Sequence, residues 1–228
     1  MVEGLMLTMK QKKLVIYGVG SLANKIFEYN KRDRLFEIVG FVDDRQDLES
    51  SFCGLPTMHY DQFKKEYGQK DCVVFVAIGY VKCNYFREIV SKRVVADGYE
   101  LVNYISPNSI CWENVFMGKN IFVADNVFIG HGCKIDDGVI LYEGCSFSHD
   151  TEIESFCFVS LGVAVGGYTK LGHHSFVGLH STVKDSVSIG AYNIVGSGTN
   201  VIRSTNDFYL TIGNPGLSKE RDTRTMKI

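Results

Sequence analysis

The chain has 228 residues, 45% hydrophobic and 22% charged, which suits one large domain or two small ones. A net charge of −2 and a pI near 6.3 leave no basic footprint for nucleic acid or an anionic membrane. The longest nearly apolar run, CVVFVAIGYV (72–81), is about half of a membrane span and no signal-peptide pattern opens the chain, so a cytoplasmic protein is expected.

In chain order, KLVIYGVG (13–20) reads as a buried strand ending in glycines. SLANKIFEYNKR follows with helical spacing, Leu22, Ile26 and Phe27 sharing one face. FEIVGFVDD (36–44), CVVFVAIGY (72–80) and ELVNYI (100–105) read as three further strands, with helical stretches at about 60–67 and 81–97. Alternating strand and helix predicts a small, Rossmann-like parallel α/β sheet over residues 1–106. Pro107 marks the passage to a second domain, 107–228.

Gly18-Val-Gly20-Ser-Leu-Ala23 forms a GxGxxA turn between strand and helix, where backbone N–H groups and the helix dipole favour a phosphate. Asp43 and Asp44 end the next strand, where a carboxylate could meet a ribose or a base, and Gly79 falls along the same carboxyl edge. NAD is the obvious ligand, but a full dinucleotide fold needs about six strands, and four precede the second domain. A mononucleotide half-site is the alternative, and tight-turn packing explains the glycines equally well.

The second half is organised by a period of six. An apolar residue stands at every sixth position from Ile129 to Val201, through Ile135, Leu141, Phe147, Ile153 and onward, and Cys111, Met117 and Val123 extend the series backwards. Glycine follows the apolar residue at 130, 166, 172, 178, 190 and 196. Neither a helix (period 3.6) nor a flat strand (period 2) generates a strict six, whereas a hexapeptide parallel β-helix does. Three hexads make one triangular coil, so residues eighteen apart should stack at roughly 4.8 Å. Cys133, Cys145 and Cys157 fall on this repeat and read as small buried thiols rather than metal ligands.

FSHDTE (147–152) carries adjacent His149 and Asp150. Phe147 is on the inward register, so His149 lies outside the core and can face a cleft. His131 is eighteen residues before it and Gly167 eighteen after, so two imidazoles should stack beneath a position without a side chain. A neutral imidazole oriented by a carboxylate is a general base. A solvated surface pair is the bland reading of the same residues. His173 and His174 read as turn residues, His180 as a groove or surface residue, and His59 as surface.

A small α/β domain followed by a hexapeptide helix resembles the bacterial NeuD/PglD family of sugar acetyltransferases. LVIYGVGS, FVDD, VAIG, FSHD and the tail IGNPGLSKE carry the resemblance, which covers nearly the whole chain. It implies a left-handed β-helix holding acetyl-CoA, an α/β domain holding a nucleotide sugar, and a homotrimer with sites between subunits; direct attack on the thioester needs no metal, so none is expected. It also implies sugar-nucleotide contacts at Gly20, Ser21, Leu22, Asp43, Asp44 and Gly79, His149 as catalytic base and Asp150 as the acid that supports it. Coenzyme A contacts fall near Leu179 and Ser197. Phe158 stands where better-known members place a histidine that contacts acetyl-CoA.

The function expected is acetyl-CoA-dependent N-acetylation of a nucleotide-linked 4-amino-4,6-dideoxy sugar. Alternatives are O-acetylation of a sialic-acid-type sugar with the same base, a non-catalytic partner of another sugar-biosynthesis enzyme, and a cofactor-binding or sensory α/β domain on an inert β-helix.

Overall fold

The computed structural model describes residues 12–213. Its first part runs β1 (Lys13–Tyr17), α1 (Ser21–Asp33), β2 (Glu37–Val42), β3 (Ser51–Phe52), β4 (Leu55–Met58), α2 (Tyr60–Glu66), β5 (Val73–Val76) and α3 (Tyr85–Ala96). The sheet order is β3-β4-β2-β1-β5, parallel except for the β3–β4 hairpin. Because side chains alternate along a strand, Leu14 and Ile16 join one buried cluster while Val15 and Tyr17 join the other. The first of these clusters continues without a break into the second half of the chain.

Two local features differ from the sequence reading. The β3–β4 hairpin, turning at Cys53 and Gly54 with positive φ, was not expected. The segment 100–105 is not a single strand of this sheet. Leu101 makes only an isolated bridge to Val74, whereas Tyr104–Ile105 pairs with Phe122–Val123 as the first rung of the β-helix. The reason is packing: Tyr104 is fully buried among Tyr29, Phe36 and Phe122.

From there the chain climbs a left-handed parallel β-helix of two-residue rungs, which up to Val201 pair with the rung eighteen residues on, as Phe128 does with Ser146 and Ser146 with Ala164. The rungs stack into three sheets. From Val123 to Val201 the repeated apolar residues point inward and are almost completely buried, whereas Cys111 and Met117 in the first coil are partly so. Each corner turns through one residue with positive φ, and these recur every six positions from Asn120 to Gly198. Asp150 is one of them, so the turn that makes the corner also places the carboxylate next to His149.

The α/β domain covers one face of the triangle. On that face even the outward residues Tyr104, Phe122, Ile140 and Phe158 are buried, Phe176 is partly so, and Ile194 and Leu210 emerge at 40% and 62%. On the other two faces the outward positions are mostly exposed Lys, Glu, Ser, Thr and Asn. Cys133, Cys145 and Cys157 are buried, each donating its S–H to a carbonyl of the next coil, and burial raises all three thiols. The tail motif from Asn214 on lies outside the described residues.

Candidate active site

The carboxyl edge of the sheet gathers the residues expected to hold a nucleotide. Gly18 has φ +120°, and a Cβ there would lie 2.9 Å from the Ala77 carbonyl oxygen, so this glycine is required for β1 and β5 to leave the sheet side by side. A Cβ at Gly20 or at Gly79 would meet nothing within 4 Å, so both border open space. Gly20 caps α1 with extended backbone and no side-chain cap, which leaves the first N–H groups of the helix to an outside acceptor. Ser21 is exposed, whereas the Leu22 side chain is 2% exposed in the core, so Leu22 offers only its backbone N–H.

Both aspartates are already engaged. Asp43 Oδ1 accepts from the Arg45 backbone N–H (3.0 Å) and Nε (3.2 Å). Asp44 accepts from Arg93 Nη2 at 2.5 Å, and Arg93 also reaches the Tyr17 hydroxyl. A ribose or base at this edge would compete with, or be positioned by, these arginines.

His149 stands on another part of the molecule, at a corner of the β-helix. Its Nδ1 lies 3.0 Å from Asp150 Oδ2, which leaves Nε2 as the nitrogen available to a substrate. The His131 ring stacks on it at 5.4 Å and 17°, and Tyr168 meets it edge-on at 4.9 Å. On the other side a Cβ at Gly167 would lie 2.7 Å from His149 Cε1, so only glycine leaves room for this rotamer. The imidazole stack and the missing side chain beside it are as the eighteen-residue spacing predicts. Trp112 packs against His131 (5.7 Å), and an open groove of about 870 Å³ lined by Trp112, Glu113, Asn114 and His131 lies beside the stack. Ligand atoms of His131, His149 and Asp150 fall within 4.8 Å of one another, a spacing a divalent cation could also span.

Leu179 and Ser197 are exposed and stack, eighteen apart, on a different corner of the same triangle. Within one chain they are therefore separated from His149 by a full face. Phe158 lies on the covered face, 3% exposed, stacked on Phe176 (5.6 Å) and in contact with Tyr142 and Tyr80. His180 is exposed on the corner that carries Leu179, and His59 is exposed at the start of α2.

Three further side chains bear on the site. Tyr168, one coil on from Asp150, stands beside His149. Arg87 is fully buried, and no local pattern in α3 announces it. His174, expected in a turn, is indeed at a corner but is 3% exposed, with Nε2 3.1 Å from Glu88 Oε2 of α3 and Nδ1 3.0 Å from His173 Nδ1. Phe156 and Tyr192 pack on its ring.

Burial lowers the His174 pKa, with His173 and Arg87 pushing the same way and Glu88 opposing. A histidine depressed in the folded state binds its proton more readily when unfolded, so stability is present above about pH 6.5 and declines as pH falls through that value. Glu88 is also depressed: burial acts against the shift, and the hydrogen bond from Lys92 and the charge of His174 overcome it. It therefore adds to the decline further into acid. The thermal midpoint should fall between about pH 7.5 and 5.5, and His174→Phe, which keeps the ring packing, should flatten that fall. An unchanged slope in the variant would assign the acid sensitivity to other groups.

Residues 13–94 match the family described as the PglD N-terminal domain. Over both halves, the chain is similar to PerB from Caulobacter crescentus, solved in complex with CoA and GDP-perosamine. The two are 29% identical, with 88% of this chain and 94% of that one covered, at a TM-score of 0.79. Across both halves the chain is similar to sugar acetyltransferases of the NeuD/PglD type. A histidine-to-asparagine variant of perosamine N-acetyltransferase from the same organism, also with CoA and GDP-perosamine, is 28% identical over 92% of this chain and 97% of that one, at 0.80. The acetyltransferase domain of PglB from Neisseria gonorrhoeae shares the NeuD/PglD-type fold at 20% identity, with 90% and 98% covered and a TM-score of 0.81. Among the described residues no helix is long and apolar enough to cross a membrane.

Proposed function

We propose that this chain transfers the acetyl group of acetyl-CoA to the 4-amino group of a nucleotide-linked 4-amino-4,6-dideoxy sugar. The observation that carries the reading is the His149–Asp150 pair, held at an exposed corner of the β-helix with Nε2 free and with Gly167 clearing space beside the ring. The similarity to PerB, a protein crystallised with CoA and GDP-perosamine, supplies the substrate class.

In this reading Asp150 accepts from His149 Nδ1–H and fixes the tautomer, so Nε2 is the base. The sugar amine attacks the thioester carbonyl and gives up one proton to Nε2 as the new C–N bond forms. The tetrahedral intermediate collapses with loss of the coenzyme A thiolate, which takes a proton and leaves as the thiol. No covalent enzyme intermediate is required. Leu179 and Ser197 serve the pantetheine arm, and Phe158 supports that region from beneath as part of an aromatic layer. Gly20, Ser21, Leu22 and Gly79 receive the nucleotide diphosphate, with Asp43 and Asp44 at the ribose or base. Since the proposed coenzyme residues and His149 occupy different corners of one chain, the reading places each site between subunits of a homotrimer.

The test is thiol release from acetyl-CoA with a panel of UDP-, dTDP- and GDP-linked 4-amino-4,6-dideoxy sugars. Turnover on one of them is the expected result. Coenzyme A binding without thiol release on any panel member would sink the amino-sugar acceptor.

A further inference from the structure

Arg87, in the first turn of α3, is completely buried, yet no carboxylate is among its partners. Nε donates to the Gly138 carbonyl at 2.8 Å, and Nη1 to those of Ile78 and Gly79 at 2.9 Å each. Nη2 donates to those of Phe156 and Cys157 at 3.1 and 3.3 Å. A guanidinium has five N–H donors, and all five are used on backbone oxygens. They belong to two adjacent coils of the β-helix and to the segment that leaves β5. Lys82, Cys83 and Asn84 precede α3 with φ between 49° and 65°, three consecutive left-handed residues that turn the chain back so the helix begins under that segment.

The geometry of the peptide bond gives this arrangement a second consequence. In a trans peptide the C=O and N–H point in opposite directions, and no peptide here is cis. The carbonyls of Ile78 and Gly79 both face Arg87, so the N–H groups of Gly79 and Tyr80 both face away from it, side by side. Neither has an acceptor among the described residues, and the space beside Gly79 is open. Successive N–H groups aimed the same way form an anion-binding concavity. It lies on the carboxyl edge that also carries the Gly18–Ala23 turn.

Resting on the function proposed above, we propose that Arg87 is a positioning residue: by holding two carbonyls inward it presents the Gly79 and Tyr80 N–H groups as a grip for the pyrophosphate of the nucleotide sugar. The guanidinium itself never touches the ligand. It organises the edge and ties it to the β-helix that carries the base.

Calorimetry with UDP, dTDP and GDP, their monophosphates and coenzyme A tests this on the full chain. The nucleotide that wild type binds should be held more tightly as diphosphate than as monophosphate. Arg87→Lys keeps the charge but has three donors, and it should shrink that preference by roughly tenfold while leaving coenzyme A affinity within about twofold. Tyr80→Pro removes one of the two N–H groups without touching Arg87, and should give a similar loss that Tyr80→Ala, which loses the same ring packing on Phe158 and Phe176 but keeps the N–H, does not; the pair guards against a folding defect in the first variant. An unchanged preference in both variants, or equal weakening of all ligands, would overturn the positioning role and leave acyl transfer standing. A wild-type protein that binds coenzyme A but no nucleotide would overturn the acceptor reading, and this inference with it.

Discussion

Replacing His149 with alanine should lower kcat for acetyl transfer by about 10²–10⁴-fold, equivalent to roughly 3–5 kcal/mol of barrier. The size follows from what the side chain does in the proposed chemistry. It removes a proton from the attacking amine while the C–N bond forms, a service that is absent from the ground state. The KM for acetyl-CoA should therefore move little, because the residues proposed to hold the coenzyme lie on another corner. Folding should be nearly unaffected, since the ring is partly exposed and its neighbours His131 and Tyr168 are exposed as well. Gly167→Ala offers an independent check. Its new Cβ would stand 2.7 Å from His149 Cε1 and push the ring aside while leaving its chemistry intact, so kcat should fall by a smaller factor. If His149→Ala kept its rate within about threefold, the base would have to be sought elsewhere.

The second large effect concerns stability. Gly172→Ala places a Cβ 2.5 Å from the backbone nitrogen of Ala191 and the carbonyl carbon of Gly190. These are main-chain atoms of the next coil, and they cannot swing away as a side chain would. Relief requires the two coils to part, breaking rung hydrogen bonds, and the expected cost is about 3 kcal/mol. For a chain of this size that lowers the thermal midpoint by roughly 10 °C. Gly196→Ala is the matched control: it follows the same apolar register, but its Cβ finds no atom closer than 3.5 Å. It should stay within about 0.5 kcal/mol of wild type. Equal losses in the two variants would refute the clash and point to a general intolerance of side chains at that position.

These glycines show why so much of the β-helix was legible in the sequence. The apolar residue every six positions is the inward face of each rung, and the glycine after it at 166, 172, 178 and 190 is where coils approach too closely for a Cβ. Both are local, repeated requirements. The stack of His131, His149 and Gly167 was legible for the same reason, since register in a solenoid follows from counting. A further signal was present and not used: every third hexad has two consecutive apolar residues, as in Phe122–Val123, Ile140–Leu141, Phe158–Val159 and Phe176–Val177. Ile110–Cys111, Phe116–Met117 and Phe128–Ile129 double early on the other two faces, but only the face the α/β domain covers keeps the doubling through four or more successive coils. The α/β domain itself was less legible. The division of residues 100–105 between two sheets depends on Tyr104 finding a pocket among residues far away in the chain, which periodicity does not encode. Arg87 was invisible because its partners are backbone oxygens, and a carbonyl leaves no trace in the choice of side chain.

The pairing of each rung with the one eighteen residues later also limits how the chain can change length. Along most of the solenoid, an insertion or deletion is silent only as a whole turn; any other number rotates every later side chain to a different face. The register between His149 and the later coils is thus quantised, and length variation must be looped out at a corner. The exception is the last described rung, where Leu210 pairs with Ile194 although an eighteen-residue step would place Ile212 there. At that rung the counting has lapsed, and a turn continuing in register would first have to restore it.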